Sequence, residues 1–207
     1  MPRPAFGRSD DAMALERIVF SSDAVFAIAI TLLVLEITVP TAGASSRELA
    51  HELGRLGSKV FSFAFSFWVI GRFWTGHHAT FQYVRRWDPV MLWLNLLLLA
   101  CIAFLPFPTA VLGNHITVPL AAQLYAVSVM ATGFASALLW WYAARNGRLV
   151  DEHLDPRLRR SIQLRTLAAP VVFALSIPLV TVLVPIGVWC VSRPARPKGQ
   201  PHRAGSA

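Results

Sequence analysis

The sequence predicts an all-α, polytopic membrane protein with six transmembrane helices per subunit, and three observations carry that expectation. Hydrophobic residues make up 55% of the 207 and charged residues only 14%, against about 25% charged in an ordinary soluble domain. The apolar residues come in blocks long enough to cross a bilayer, for which a helix needs about 20 residues. The basic residues cluster in alternate gaps between those blocks, the bias that orients membrane helices.

The same composition excludes other classes. A net charge of +8 calls for no nucleic-acid partner, because cytoplasmic loops of a membrane protein collect Lys and Arg. The opening residues are polar and charged, without a short apolar run and small-residue cleavage site, so no cleavable signal peptide is expected. Cys101 and Cys190 lie within apolar segments and are expected as free thiols.

Residues 1–14 read as a cytoplasmic N-terminal tail, in which Asp10 and Asp11 suit the positive end of an approaching helix. The six-helix domain follows over 15–192. Its first span centres on 17–37, RIVFSSDAVFAIAITLLVLEI, and Pro40 with Gly43 stops it. Residues 44–59 are helical in pattern but too polar to span, and read as an interfacial lead-in. The second span has its apolar core at 60–74, where Ser62, Ser66 and Gly71 allow close helix approach.

Pro89 stands in the first turn of the third span, and Pro106 and Pro108 break its far end. The fourth span covers 120–144 and closes with Trp140, Trp141 and Tyr142 as an aromatic belt. Residues 145–165 hold six arginines. The fifth span is expected at 164–180 and a short sixth at 182–191, followed by a disordered basic cytoplasmic tail over 193–207. With both termini inside, 15 of the 19 basic residues fall on the cytoplasmic side, which favours six spans over five.

The first span carries the residues with chemistry to explain. Asp23 heads an apolar run, and a carboxylate in hydrocarbon needs a partner or water. At about 100° per residue, Thr31, Leu32 and Leu35 lie within roughly 60° of Ile28, while Asp23 is about 140° away. The acid and the apolar stripe therefore address different neighbours. Either Asp23 pairs within the subunit and leaves the Ile28 stripe for an axis shared between subunits, or the stripe is ordinary helix packing.

His77 and His78 invite a metal reading, but adjacent helical residues point about 100° apart, and no third ligand is spaced to help. No convincing nucleophile–base pair points to an enzyme. A non-enzymatic alternative is a proton-coupled transporter with Asp23 and His77 as a titrating pair.

Arg17-x-x-x-Ser21-Ser22-Asp23, continuing AVFAIAITLLVLEI, resembles the RxxxFSD signature of the transmembrane protein 175 family of potassium channels. The likeness continues through FWTGHHATF (73–81), the run from Asp88 to Leu97, and FLPFPTAVL (104–112). The signature phenylalanine position is held by Ser21, with Phe20 beside it.

The resemblance implies a homotetramer in the cell inner (plasma) membrane, with the first helix lining a central pore and potassium as the permeant ion, without a cofactor. Self-association and membrane lipid would be the partners. By position, Ile28 would form the main hydrophobic constriction, Leu32 and Leu35 further layers, and Thr31 the polar site favouring potassium. Arg17, Ser22 and Asp23 would join Trp74, His77 and Asn95 in a hydrogen-bond network. With no TVGYG-like loop, selectivity would rest on ring diameter and the Thr31 hydroxyls. Glu36 would stand at the outer mouth, concentrating cations or serving no such role.

Overall fold

A computed structural model describes residues 8–38, 45–145, 149–150 and 155–192. The architecture is all-α. Helix α1 spans Arg8–Leu32 and tightens into a 3-10 turn at Leu33–Glu36. The short α2 (Ser46–Arg55) is followed by α3 (Gly57–Phe81), α4 (Pro89–Phe104), α5 (Pro106–Asn114), α6 (Pro119–Ala144) and α7 (Pro156–Ser192). Among the described residues, α1 with its 3-10 turn, α4 with α5, and α6 are long and apolar enough to cross a membrane.

Local chemistry accounts for most boundaries. Ser45 caps α2 by accepting the Glu48 N–H at 3.3 Å, and no residue of α2 is buried. That suits the interfacial role its polarity predicts. Asp88 caps α4 by accepting the Met91 N–H at 2.8 Å, with Pro89 in the first turn. Its other carboxylate oxygen accepts the Tyr142 hydroxyl at 2.7 Å, fixing the start of α4 to the end of α6. The break at Leu105 follows from Pro106, which has no N–H to continue the α4 ladder.

Three details depart from the sequence reading. Helix α1 begins at Arg8, inside the segment read as a tail. The fifth and sixth predicted spans lie in one uninterrupted helix, α7, with no turn between 180 and 182. Pro170 and Pro178 do not stop it, as membrane helices tolerate proline where neighbours support the backbone. Of the expected aromatic belt only Trp141 is well exposed, with Arg145 5.0 Å over its ring. Trp140 is buried and its indole donates to the Arg159 carbonyl at 3.3 Å. Pro40, Gly43, Arg148 and the 193–207 tail lie outside the described residues.

Lipid is as apolar as leucine, so helices in it are held by close packing and hydrogen bonds more than by the hydrophobic effect. Two glycines mark the close approaches. A Cβ on Gly113 would come 3.3 Å from the Lys59 Cα, where α5 lies on α3, and the Gly113 carbonyl accepts Ser58 Oγ at 2.9 Å. A Cβ on Gly133 would come 2.6 Å from Cδ of Pro170, so α6 and α7 touch only because the position is glycine. A buried polar chain crosses the core: Thr109 Oγ1 gives its proton to the Leu105 carbonyl at 2.8 Å and shares a hydrogen bond with Ser66 Oγ at 2.8 Å, and Ser66 Oγ shares one with the Tyr125 hydroxyl at 3.0 Å.

Candidate functional site

Helix α1 has two sharply different faces. Ser22, Phe26, Ala29 and Leu33 are all buried. Phe26, Ala29 and Leu33 each fall within roughly 40° of Ser22 around the helix. They pack on α3 and α4 beside Ile70, Leu98 and Ile102. On the far side Ile28 is 58% exposed and Leu35 70%, and Phe20, Ser21, Ala24, Thr31 and Leu32 are exposed as well. In the 3-10 turn three residues make one revolution, which keeps Leu35 above Leu32.

The buried face is fixed by polar contacts whose direction can be worked out. Ser22 Oγ donates its single proton to the Ile18 carbonyl at 2.8 Å and can therefore only accept elsewhere. Asn95 Nδ2 donates to it at 3.0 Å, which turns the Asn95 Oδ1 towards His77 Nε2 at 2.9 Å. An amide oxygen only accepts, so Nε2 carries the proton and Nδ1 of the neutral ring is bare. Nδ1 is buried without a hydrogen-bond partner, and the ring instead lies between Phe26 and Phe81, at centroid distances of 5.5 and 4.4 Å. One serine proton thus sets an amide orientation and a histidine tautomer on three helices.

Asp23 is held separately. Trp74 donates its indole N–H to Asp23 Oδ1 at 2.8 Å, which supplies the partner that a carboxylate in an apolar helix requires. Ser22, His77 and Asn95 are thus joined in one chain, and Asp23 and Trp74 in a second pair. Arg17 is exposed and stands outside both. Asp23 and His77 are not bonded to each other. His78 leaves the core, its ring 6.0 Å from that of Trp74. Phe26 and Phe81, which clasp His77, were not singled out by sequence. Phe81 does follow His77 by four residues, one turn along the same helical face.

A family model described as the endosomal/lysosomal potassium channel TMEM175 matches residues 17–106, the stretch that carries this whole arrangement. A potassium channel of Streptomyces collinus is 37% identical over 169 residues, covering 80% of this chain and 82% of that one. The chain belongs to the TMEM175 family. A crystal structure of a TMEM175 homolog from Chamaesiphon minutus, described as a lysosomal potassium-selective channel, is similar with a TM-score of 0.72 and 31% identity. The similarity covers 86% of this chain and 92% of that one. The human endosomal/lysosomal proton channel TMEM175 is 28% identical over 163 residues, which are 76% of this chain and 31% of the human protein. TMEM175 proteins are multi-pass ion channels, not enzymes.

Proposed function

We propose that this TMEM175-family chain is a potassium-preferring cation channel that assembles as a homotetramer around α1. It would sit in the inner (plasma) membrane with both termini cytoplasmic. Ile28 forms the main hydrophobic constriction, with Leu32 and Leu35 as further layers. Four apolar side chains around an axis close a pore by excluding water, and a small widening rewets it. The observation that carries this reading is the division of α1 into a sealed face and an exposed one.

Other helices also expose apolar residues, but with a different character. The open faces of α3 and α4 carry Phe61, Trp68 and Trp93, bulky groups suited to lipid. Beyond Phe20 the open face of α1 interleaves Ile28 and Leu35 with Ser21, Ala24, Ala27 and Thr31, small and polar groups suited to close approach around an axis. Thr31 Oγ1 donates to the Ile28 carbonyl at 2.9 Å. That bond uses its proton and leaves oxygen lone pairs to face a cation. The names of the Streptomyces and Chamaesiphon relatives support potassium as the permeant ion. Proton-coupled transport by an Asp23–His77 pair has less support, since each of the two is engaged with a different neighbour.

Single-channel recording of purified protein under a potassium–sodium gradient tests the reading, beside a cross-linking count of subunits. Discrete current steps reversing towards the potassium equilibrium potential, with four subunits, are expected. Saturable, stepless flux driven by pH would contradict it.

A further inference from the structure

The groove between α3, α6 and α7 has no role in permeation as described above. It encloses about 530 Å³, within the range of about 300–1,000 Å³ common for small-molecule sites. Helix α7 runs antiparallel to α3. Phe65 stacks near Tyr125 at 5.7 Å and Tyr125 near Phe173 at 6.4 Å, so Phe65 and Phe173 share one level.

From that level, Arg72 is seven residues along α3 and Arg165 eight residues back along α7. At 1.5 Å per residue both arginines stand about 10–12 Å above the aromatic floor. The groove thus carries both characters, with Phe65, Trp68, Val69, Val172 and Phe173 towards the aromatic floor and Arg72 and Arg165 above it, where Phe73 and Ile162 also line the wall. The charged end is the end of the bundle that carries Arg85, Arg86 and Arg145.

Among the described residues no carboxylate lines the groove, and neither arginine is in an ion pair. Among the described residues the guanidinium of Arg72 donates to Thr75 alone, at 3.5 Å, out of five N–H donors. Beyond Arg165 a shallower recess adds Arg157 and Arg160. Paired guanidinium groups bind phosphate oxygens in bidentate fashion, and basic pockets between membrane helices suit anionic head groups.

We infer that this groove binds an anionic glycerophospholipid, its phosphate held between Arg72 and Arg165 and one acyl chain laid along the Phe65–Phe173 end. The site is independent of the channel reading: a non-conducting protein would still take the lipid.

Native mass spectrometry of the full chain in neutral detergent tests it, with phosphatidylglycerol or phosphatidylcholine of identical acyl chains as the probe. Wild type is expected to retain phosphatidylglycerol about tenfold over phosphatidylcholine. Arg72→Gln with Arg165→Gln should bring that ratio close to one, Arg72→Lys with Arg165→Lys should keep most of it, and Ala168→Phe should weaken both lipids. Arg55→Gln, far away on α2, should change nothing.

Equal retention of the two lipids by wild type overturns the inference without reference to any variant. Displacement by inorganic phosphate with no effect of Ala168→Phe also overturns it, as a free-anion site. A changed subunit count in Ala168→Phe would show instead that a second copy fills the groove.

Discussion

The Trp74 indole N–H lies 2.8 Å from Oδ1 of Asp23, joining α3 to α1 across 51 positions of sequence. Asp23 sits about a quarter-turn from Ser22, so this bond and the Ser22–Asn95 bond hold α1 at two points around its circumference. Together they fix which way Ile28 faces.

Trp74→Phe keeps the ring and removes the donor. Hydrogen bonds to charged groups contribute about 1.5–3 kcal/mol, and partial exposure of Trp74 places the loss near the lower end. The expected outcome is a fall in thermal midpoint of about 3–6 °C in detergent, at about 2–4 °C per kcal/mol for a chain of this size.

Asn95→Leu should cost more. It leaves Ser22 and His77 without their shared partner, and both are almost wholly buried, at 0% and 2% exposure. Each orphaned group costs about 1–3 kcal/mol. A double-mutant cycle of Ser22→Ala with Asn95→Leu should return a coupling energy of about 0.5–3 kcal/mol; simple additivity would break the chain of inference from serine proton to histidine tautomer.

Gly133→Ala should destabilise the α6–α7 contact, because its Cβ would come 2.6 Å from the Pro170 ring. Overpacking of this kind costs about 1–3 kcal/mol. Unfolding should show it as a lower midpoint. Gly71→Ala, where the new Cβ meets nothing within 4 Å, is the matched control and should be neutral or slightly stabilising.

Thr31→Ala should leave current intact and lower the potassium-to-sodium permeability ratio, measured from reversal potentials under bi-ionic conditions. The hydroxyl is an exposed polar group one turn from the exposed Ile28, whose carbonyl it donates to. An unchanged ratio would remove Thr31 from the selectivity assignment.

Sequence carried the two faces of α1 because an aspartate in an apolar helix demands a partner and a 3.6-residue period assigns directions. It also pointed to Trp74, His77 and Asn95, through a resemblance and not through spacing. The Thr109–Ser66–Tyr125 chain was out of reach: Ser66 reads as a small packing residue, and its partners lie 43 and 59 positions away. The continuity of α7 was missed for a related reason. Pro170 and Pro178 read as breaks, whereas at Pro170 the neighbour that makes room for the ring is Gly133, visible only once α6 is in place. The early start of α1 at Arg8 escaped because its first turns are polar, and polarity resembles a tail.

On the proposed channel reading, the Asp23 and Ser22 contacts turn Ile28 towards the pore axis. That orientation is tested most directly by the single-channel conductance of Ile28→Asn in a reconstituted bilayer, beside Ala29→Asn on the buried face as a control. Hydrating the constriction should raise the current of Ile28→Asn well above wild type, with no such gain from Ala29→Asn. A current unchanged in Ile28→Asn would remove Ile28 from the constriction.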